Sequence, residues 1–145
     1  MALVGWTGVS TTLSGKSPNQ RVLGTATLRA ALATTTSYVA SSHVQVSQGH
    51  RVVLEFALTW ADSTSTQWYV EWSPDGTTWF RSINVSSSGG VNTVTLNNAT
   101  FASGASAAWV DPIEPEGLYM RVNVKKTGGV GADALAVTAT LLGVD

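Results

Sequence analysis

The stretch Arg51–Val85, RVVLEFALTWADSTSTQWYVEWSPDGTTWFRSINV, constrains the fold more than any other part of the chain. Val52, Leu54, Phe56, Leu58 and Trp60 alternate with Arg51, Val53, Glu55, Ala57 and Thr59, the period-2 pattern of a strand with one face in a core. A second run sets Trp68, Val70 and Trp72 against Gln67, Tyr69 and Glu71. Between Trp72 and Trp79 lies Ser73-Pro74-Asp75-Gly76, where proline presets φ for a type I turn and glycine supplies the positive φ that follows. A third run alternates Trp79, Arg81, Ile83 and Val85 with Phe80, Ser82 and Asn84. No helical period fits, so the stretch predicts three strands joined by two turns.

The rest of the chain reads as cover for this centre. A length of 145 residues with 43% hydrophobic content is enough for one domain with its own core. Charged residues make up 12%, about half the roughly 25% usual for soluble domains, and Ser, Thr, Asn and Gly take their place. With a net charge of -1 and scattered basic residues, no field attracts nucleic acid or anionic lipid. There are no cysteines, which excludes disulfides and thiolate metal sites. No run approaches the length of a membrane span, and the N-terminus lacks a basic region followed by an apolar one, so neither a span nor a signal peptide is expected.

Residues 1–36 are rich in Thr, Ser, Gly and Ala, show little sustained alternation and read as an extended N-terminal arm; residues 37–145 read as the folded domain. Trp6 stands alone between Gly5 and Gly8 and needs a pocket, either on its own domain or on a neighbouring chain. Val22–Leu32 fits a strand better than a helix, because its threonines favour extended backbone. A strand is expected from Tyr38 to Ser47, another from Val91 to Leu96, and Asn97–Ala108 reads as irregular. Leu118, Met120, Val122 and Val124 alternate with Tyr119, Arg121, Asn123 and Lys125. The last run sets Leu135, Val137, Ala139 and Leu141 against Ala136, Thr138, Thr140 and Leu142, an outer face so weakly polar that something should cover it. Seven or eight short strands at this spacing predict an all-β fold, an antiparallel β-sandwich with the jelly roll among its forms. The expected core is Leu54, Phe56, Leu58, Trp68, Val70, Trp72, Leu118, Met120, Val122, Leu135 and Val137.

Chemistry is sparse. His43 and His50 are the only histidines, and no serine sits in a G-x-S-x-G elbow, so no nucleophile–base pair is formed in sequence. Glu55 and Glu71 are the best carboxylate pair, yet both read as an exposed strand face. No cluster has metal-ligand spacing, and Asp75-Gly76 is a turn rather than a calcium loop. No catalytic residue, metal or cofactor is expected. A carbohydrate-binding module is a serious alternative, since such sandwiches bind sugars on tryptophan or tyrosine platforms. Trp60, Trp68, Trp72 and Trp79 are in phase with core residues, which leaves Trp6, Trp109, Tyr69 and Tyr119 as platform candidates.

The segment QWYVEWSPDGTTWFR (67–81), preceded by an apolar strand ending in TWAD and followed by a Ser/Gly loop, resembles small β-sandwich virion proteins of tailed bacteriophages, most of all head decoration or cement proteins. The resemblance implies a structural protein made in the host cytoplasm that binds the outside of the capsid, bridges subunits of the major capsid protein lattice and works as a homotrimer. A neck, tail or fibre-associated role in the same virion is the alternative. On this reading the arm, Met1 to about Leu32, packs on neighbouring chains through Trp6, Val22, Leu23 and Leu28, with Arg21 and Arg29 available for capsid carboxylates.

Overall fold

The computed structural model describes residues 2–7, 11–12, 20–46, 51–102 and 104–144, and all of their regular structure is β. One sheet orders β1 (Leu3–Val4), β4 (Val39–Gln45), β12 (Tyr119–Thr127), β6 (Ser65–Ser73) and β10 (Ala99–Ala102), with β7 (Phe80–Arg81) paired to the end of β6. The second orders β11 (Ala107–Ile113), β5 (Arg51–Thr59), β13 (Ala134–Val144), β3 (Gln20–Ala33) and β2 (Thr11–Thr12). The ribbon β8 (Ile83–Ser88) and β9 (Val91–Leu96) pairs only with itself. Every pairing is antiparallel except β1 with β4.

The two sheets face each other across one core. Val52, Leu54, Phe56 and Leu58 point inward from β5, and Leu135, Val137, Ala139 and Leu141 from β13. They meet Trp68 and Trp72 of β6, Met120, Val122 and Val124 of β12, and Val44 of β4. Each such side chain contributes about 1.5–3 kcal/mol on leaving water. This is the antiparallel β-sandwich that the alternation predicted. Two members of the expected core differ: Val70 is half-buried, and Leu118, at 40% exposure, precedes β12 and sits at the rim. Trp60 lies past the end of β5 and stays partly exposed, its indole donating to the Ser63 carbonyl at 2.9 Å. Trp79 belongs to the turn rather than to a strand, so strand phase does not govern where it points. The supposedly irregular 97–108 region contains β10, which pairs with Ser65–Trp68 of β6.

The largest correction concerns the arm. Gln20–Ala33 is a strand inside the second sheet, flanked by β13 and β2. Gly24, Ala26 and Leu28 face the core, and the Arg29 guanidinium is buried, donating to the carbonyls of Leu135, Leu32 and Ala33 at 3.2, 3.2 and 2.8 Å. Val22 is half-buried, and Leu23, also half-buried, packs against the core. Leu28 and Arg29 therefore serve the domain itself. The physical reason is β13: an apolar eleven-residue strand needs a neighbour on each side, and the long threonine-rich strand supplies one. Trp6 likewise folds onto its own chain. Its indole donates to the Gln45 carbonyl at 2.6 Å, and its Cβ would lie only 2.9 Å from a Cβ placed on Gly24, too close for any residue but glycine without a shift. Because Leu3–Val4 pairs with the first sheet and Thr7 bridges Thr25 of the second, this short segment closes one edge of the sandwich. The Arg21 side chain and His50 lie outside the described residues.

Candidate functional site

The opposite edge, between β6 and β10 of one sheet and β11 of the other, is closed at one end and open at the other. At the closed end Phe101 stacks on Trp109 at 4.3 Å and 6° between planes, and Trp109 stacks on Phe56 at 5.1 Å and 4°. Trp109 is thus a spacer between the sheets, held by rings on both sides, and not a surface platform. Its position follows from register: Trp109 is paired with Phe56 and therefore shares its inward face. Farther along, β10 ends its pairing with β6 at Trp68, and the gap is unfilled.

That gap is a cleft of about 320 Å³. Asp111, opposite Leu54 and so also inward, lines one side with Glu114 and Glu116; Asn97 and Asn98, just before β10, line the other. Trp68 and Trp72 form its floor. A polar network fixes these groups. The Trp68 indole donates to Asp111 Oδ2 at 3.0 Å, and the Ser82 hydroxyl to Glu116 Oε2. Asn98 Oδ1 accepts from the Tyr38 hydroxyl at 3.0 Å, and Asn97 Oδ1 from Asn84 Nδ2 at 3.0 Å. A broader groove of about 670 Å³, flanked by Phe80 and Leu118, shares Trp72, Ser82 and Glu116 with it. Little in the sequence signals the cleft: its acidic wall comes from the proline-punctuated segment after Trp109, and its amides from a region read as irregular.

The outer face of the first sheet gathers rings and cations. Tyr69 and Tyr119 both stand on it, as the platform reading required, together with Tyr38, His43 and Trp79. Cations cover the ring faces. The Arg81 guanidinium lies 3.8 Å from the Tyr69 ring centre, Arg121 lies 4.3 Å from that of Trp79, and the Lys125 amine 4.7 Å from that of Tyr38. Glu71 holds Arg121 at 2.6 Å and accepts from Asn123 at 2.9 Å. Burial, then nearby positive charge that includes Arg121, pushes the His43 pKa down, which favours its neutral ring in this stack. Burial, then Glu71, pushes the Tyr69 phenol up. With Arg81 over its face, Tyr69 is part of a structural mosaic rather than a bare stacking platform, while Tyr119 meets only the edge-on His43 ring at 6.1 Å. The turn that delivers Trp79 is firmly built: Asp75 Oδ1 accepts from the amides of Thr77 and Thr78 at 2.8 and 2.7 Å, and Gly76 has φ 75°. The same bonds hold the exposed Asp75 carboxyl well below the usual carboxylate range.

The ribbon is the third feature. Its register places Ile83 opposite Leu96 and Val85 opposite Val94, so these four share one face. They are 53%, 59%, 60% and 59% exposed respectively, in a ribbon exposed along its whole length. The alternation through Val85 and from Val91 to Leu96 is legible in the sequence, whereas the extension of β8 through Ser86–Ser88, read as a Ser/Gly loop, and the lack of cover among the described residues are not.

No family model matches the chain, and no curated protein matches it. Among solved structures, it is similar to one described as "CBM4 structure and function", with TM-score 0.44 and 10% identity over 81% of this chain and 71% of that one. The CBM22-1 xylan-binding domain from Paenibacillus barcinonensis Xyn10C gives TM-score 0.35 and 11% identity over 97% and 85%. CorA, a surface-associated copper-binding protein of Methylomicrobium album BG8, gives 0.37 and 10% over 99% and 100%. At these TM-scores and identities the likenesses carry no argument about what this chain does.

Proposed function

We propose that this protein is a non-enzymatic structural protein that docks on a preformed protein lattice, as the resemblance to phage head decoration proteins implies, and bridges neighbouring subunits of the shell. The observation that carries the reading is the ribbon. An isolated two-stranded hairpin is marginal in water, and this one presents Ile83, Val85, Val94 and Leu96 with no covering element among the described residues. A partner protein surface supplies that cover. The working form is a closed homotrimer on the capsid exterior, made in the host cytoplasm, with the neck or tail as the alternative site in the same particle. Docking stabilises the shell by mass action: a ligand that prefers the assembled lattice adds about 2.7 kcal/mol per site at a hundredfold excess over its Kd.

The test is location. In particles banded from a phage lysate, the chain co-migrates with the shell, and gold-labelled antibody marks the whole surface. Label at a single vertex gives the neck or tail instead, and absence from the particle band overturns the proposal. Particles that lack the chain release DNA at lower temperature than complete ones.

A further inference from the structure

The cleft between β6 and β11 is not needed for docking by the ribbon, and its groups are set out for a ligand. We infer that it binds a neutral saccharide. Its hydrogen-bonding groups are sorted by side. On the β11 side, Asp111 has one oxygen engaged by the Trp68 indole and Glu116 one engaged by Ser82, which leaves the other oxygen of each to accept. On the opposite side, the side-chain oxygens of Asn97 and Asn98 are taken by Asn84 and Tyr38, which leaves their NH₂ groups to donate. A ligand that fills the cleft must donate on one side and accept on the other.

Hydroxyl groups do both. An anion meets Asp111 and Glu116; Glu114 is held by Arg51 at 2.7 Å, and that guanidinium is not itself among the residues lining the cleft. An amine cation satisfies the carboxylates but leaves both amides unused. A polyol uses every group, and Trp68 and Trp72, each 6% exposed, add a small apolar floor. The volume of about 320 Å³ is within the range of small-ligand sites. The positions of the acceptors and donors are fixed before binding, which lowers the ordering cost that weak polar ligands otherwise meet.

The experiment is a titration of the full ¹⁵N-labelled chain with three neutral probes, cellohexaose, xylohexaose and mannohexaose, followed by NMR. At least one shifts the Trp68 indole and the Asn97 and Asn98 side-chain amides. Asn98→Ala and Glu116→Gln each weaken that binding about five- to tenfold, the loss of one hydrogen bond. Val94→Asp, on the ribbon, leaves saccharide binding unchanged, so failure here is separable from failure of lattice docking. The inference is overturned if no neutral probe moves Trp68, if the shifts fall on Tyr69 and Tyr119 instead, or if only spermidine or hexagalacturonate moves the cleft signals.

Discussion

β5 and the β8–β9 ribbon look alike in sequence and differ in what happens to their apolar faces. Both put apolar residues at alternating positions, although the other face of β5 also carries Val53 and Ala57. In β5, Leu54 and Phe56 are sealed between sheets at 0% and 1% exposure; in the ribbon, Val85 and Val94 remain in water. The pleat fixes that a strand has two faces, and nothing in one strand fixes whether the apolar face finds a cover. β5 has hydrogen-bonded neighbours on both sides and a second sheet beneath it, whereas each ribbon strand has only the other. The same pattern therefore gives a sealed core face in one place and an exposed apolar face in the other.

Substitutions probe this contrast most strongly in the body. Phe56→Ala opens a cavity and removes one ring of the Phe101–Trp109–Phe56 stack, and should cost about 3–5 kcal/mol in urea unfolding. Arg29→Ala removes the donor to the carbonyls of Leu135, Leu32 and Ala33, of which only the first bond is buried, for a loss of about 2 kcal/mol. Trp6→Ala should cost about 2 kcal/mol, because the half-buried ring packs on this chain's own core and ties to Gln45. An unchanged unfolding midpoint for that variant would return Trp6 to the role of an arm reaching a neighbour.

On the ribbon the expected stability effects shrink. Val85→Asp should change unfolding by less than about 0.5 kcal/mol, yet stop the chain from co-sedimenting with shells. A large loss of stability there would mean that the ribbon is covered by this chain after all. Smallest is a pH effect at the turn between β6 and β7. The Asp75 carboxyl is held below its unfolded value by the Thr78 and Thr77 amides and Ser73, so its contribution is present above the usual carboxylate pKa, near 3.9, and fades as pH falls below it. Asp75→Asn should therefore flatten the acid limb of the stability curve, measured as urea midpoints between pH 7 and pH 2.5; an unchanged limb would remove Asp75 from it.

By itself the sequence determined the all-β class, the strands at 51–59, 65–73, 119–127 and 134–144, the turn at Ser73–Gly76 and most of the core, since alternation and turn chemistry are local properties of the chain. It could not determine partners. Val22–Leu32 read as extended, as it is, but as part of an arm on neighbouring chains, because its partner β13 lies far away in the sequence. Trp109 read as a platform because its phase means nothing until it is paired with Phe56. Asp111, Asn97 and Asn98 lie on separate segments, and the cleft exists only because β10 stops pairing at Trp68 while β11 runs on beside β5. Tertiary structure alone decided these, because burial and site geometry are set by contacts between residues far apart in the chain, which no local pattern encodes.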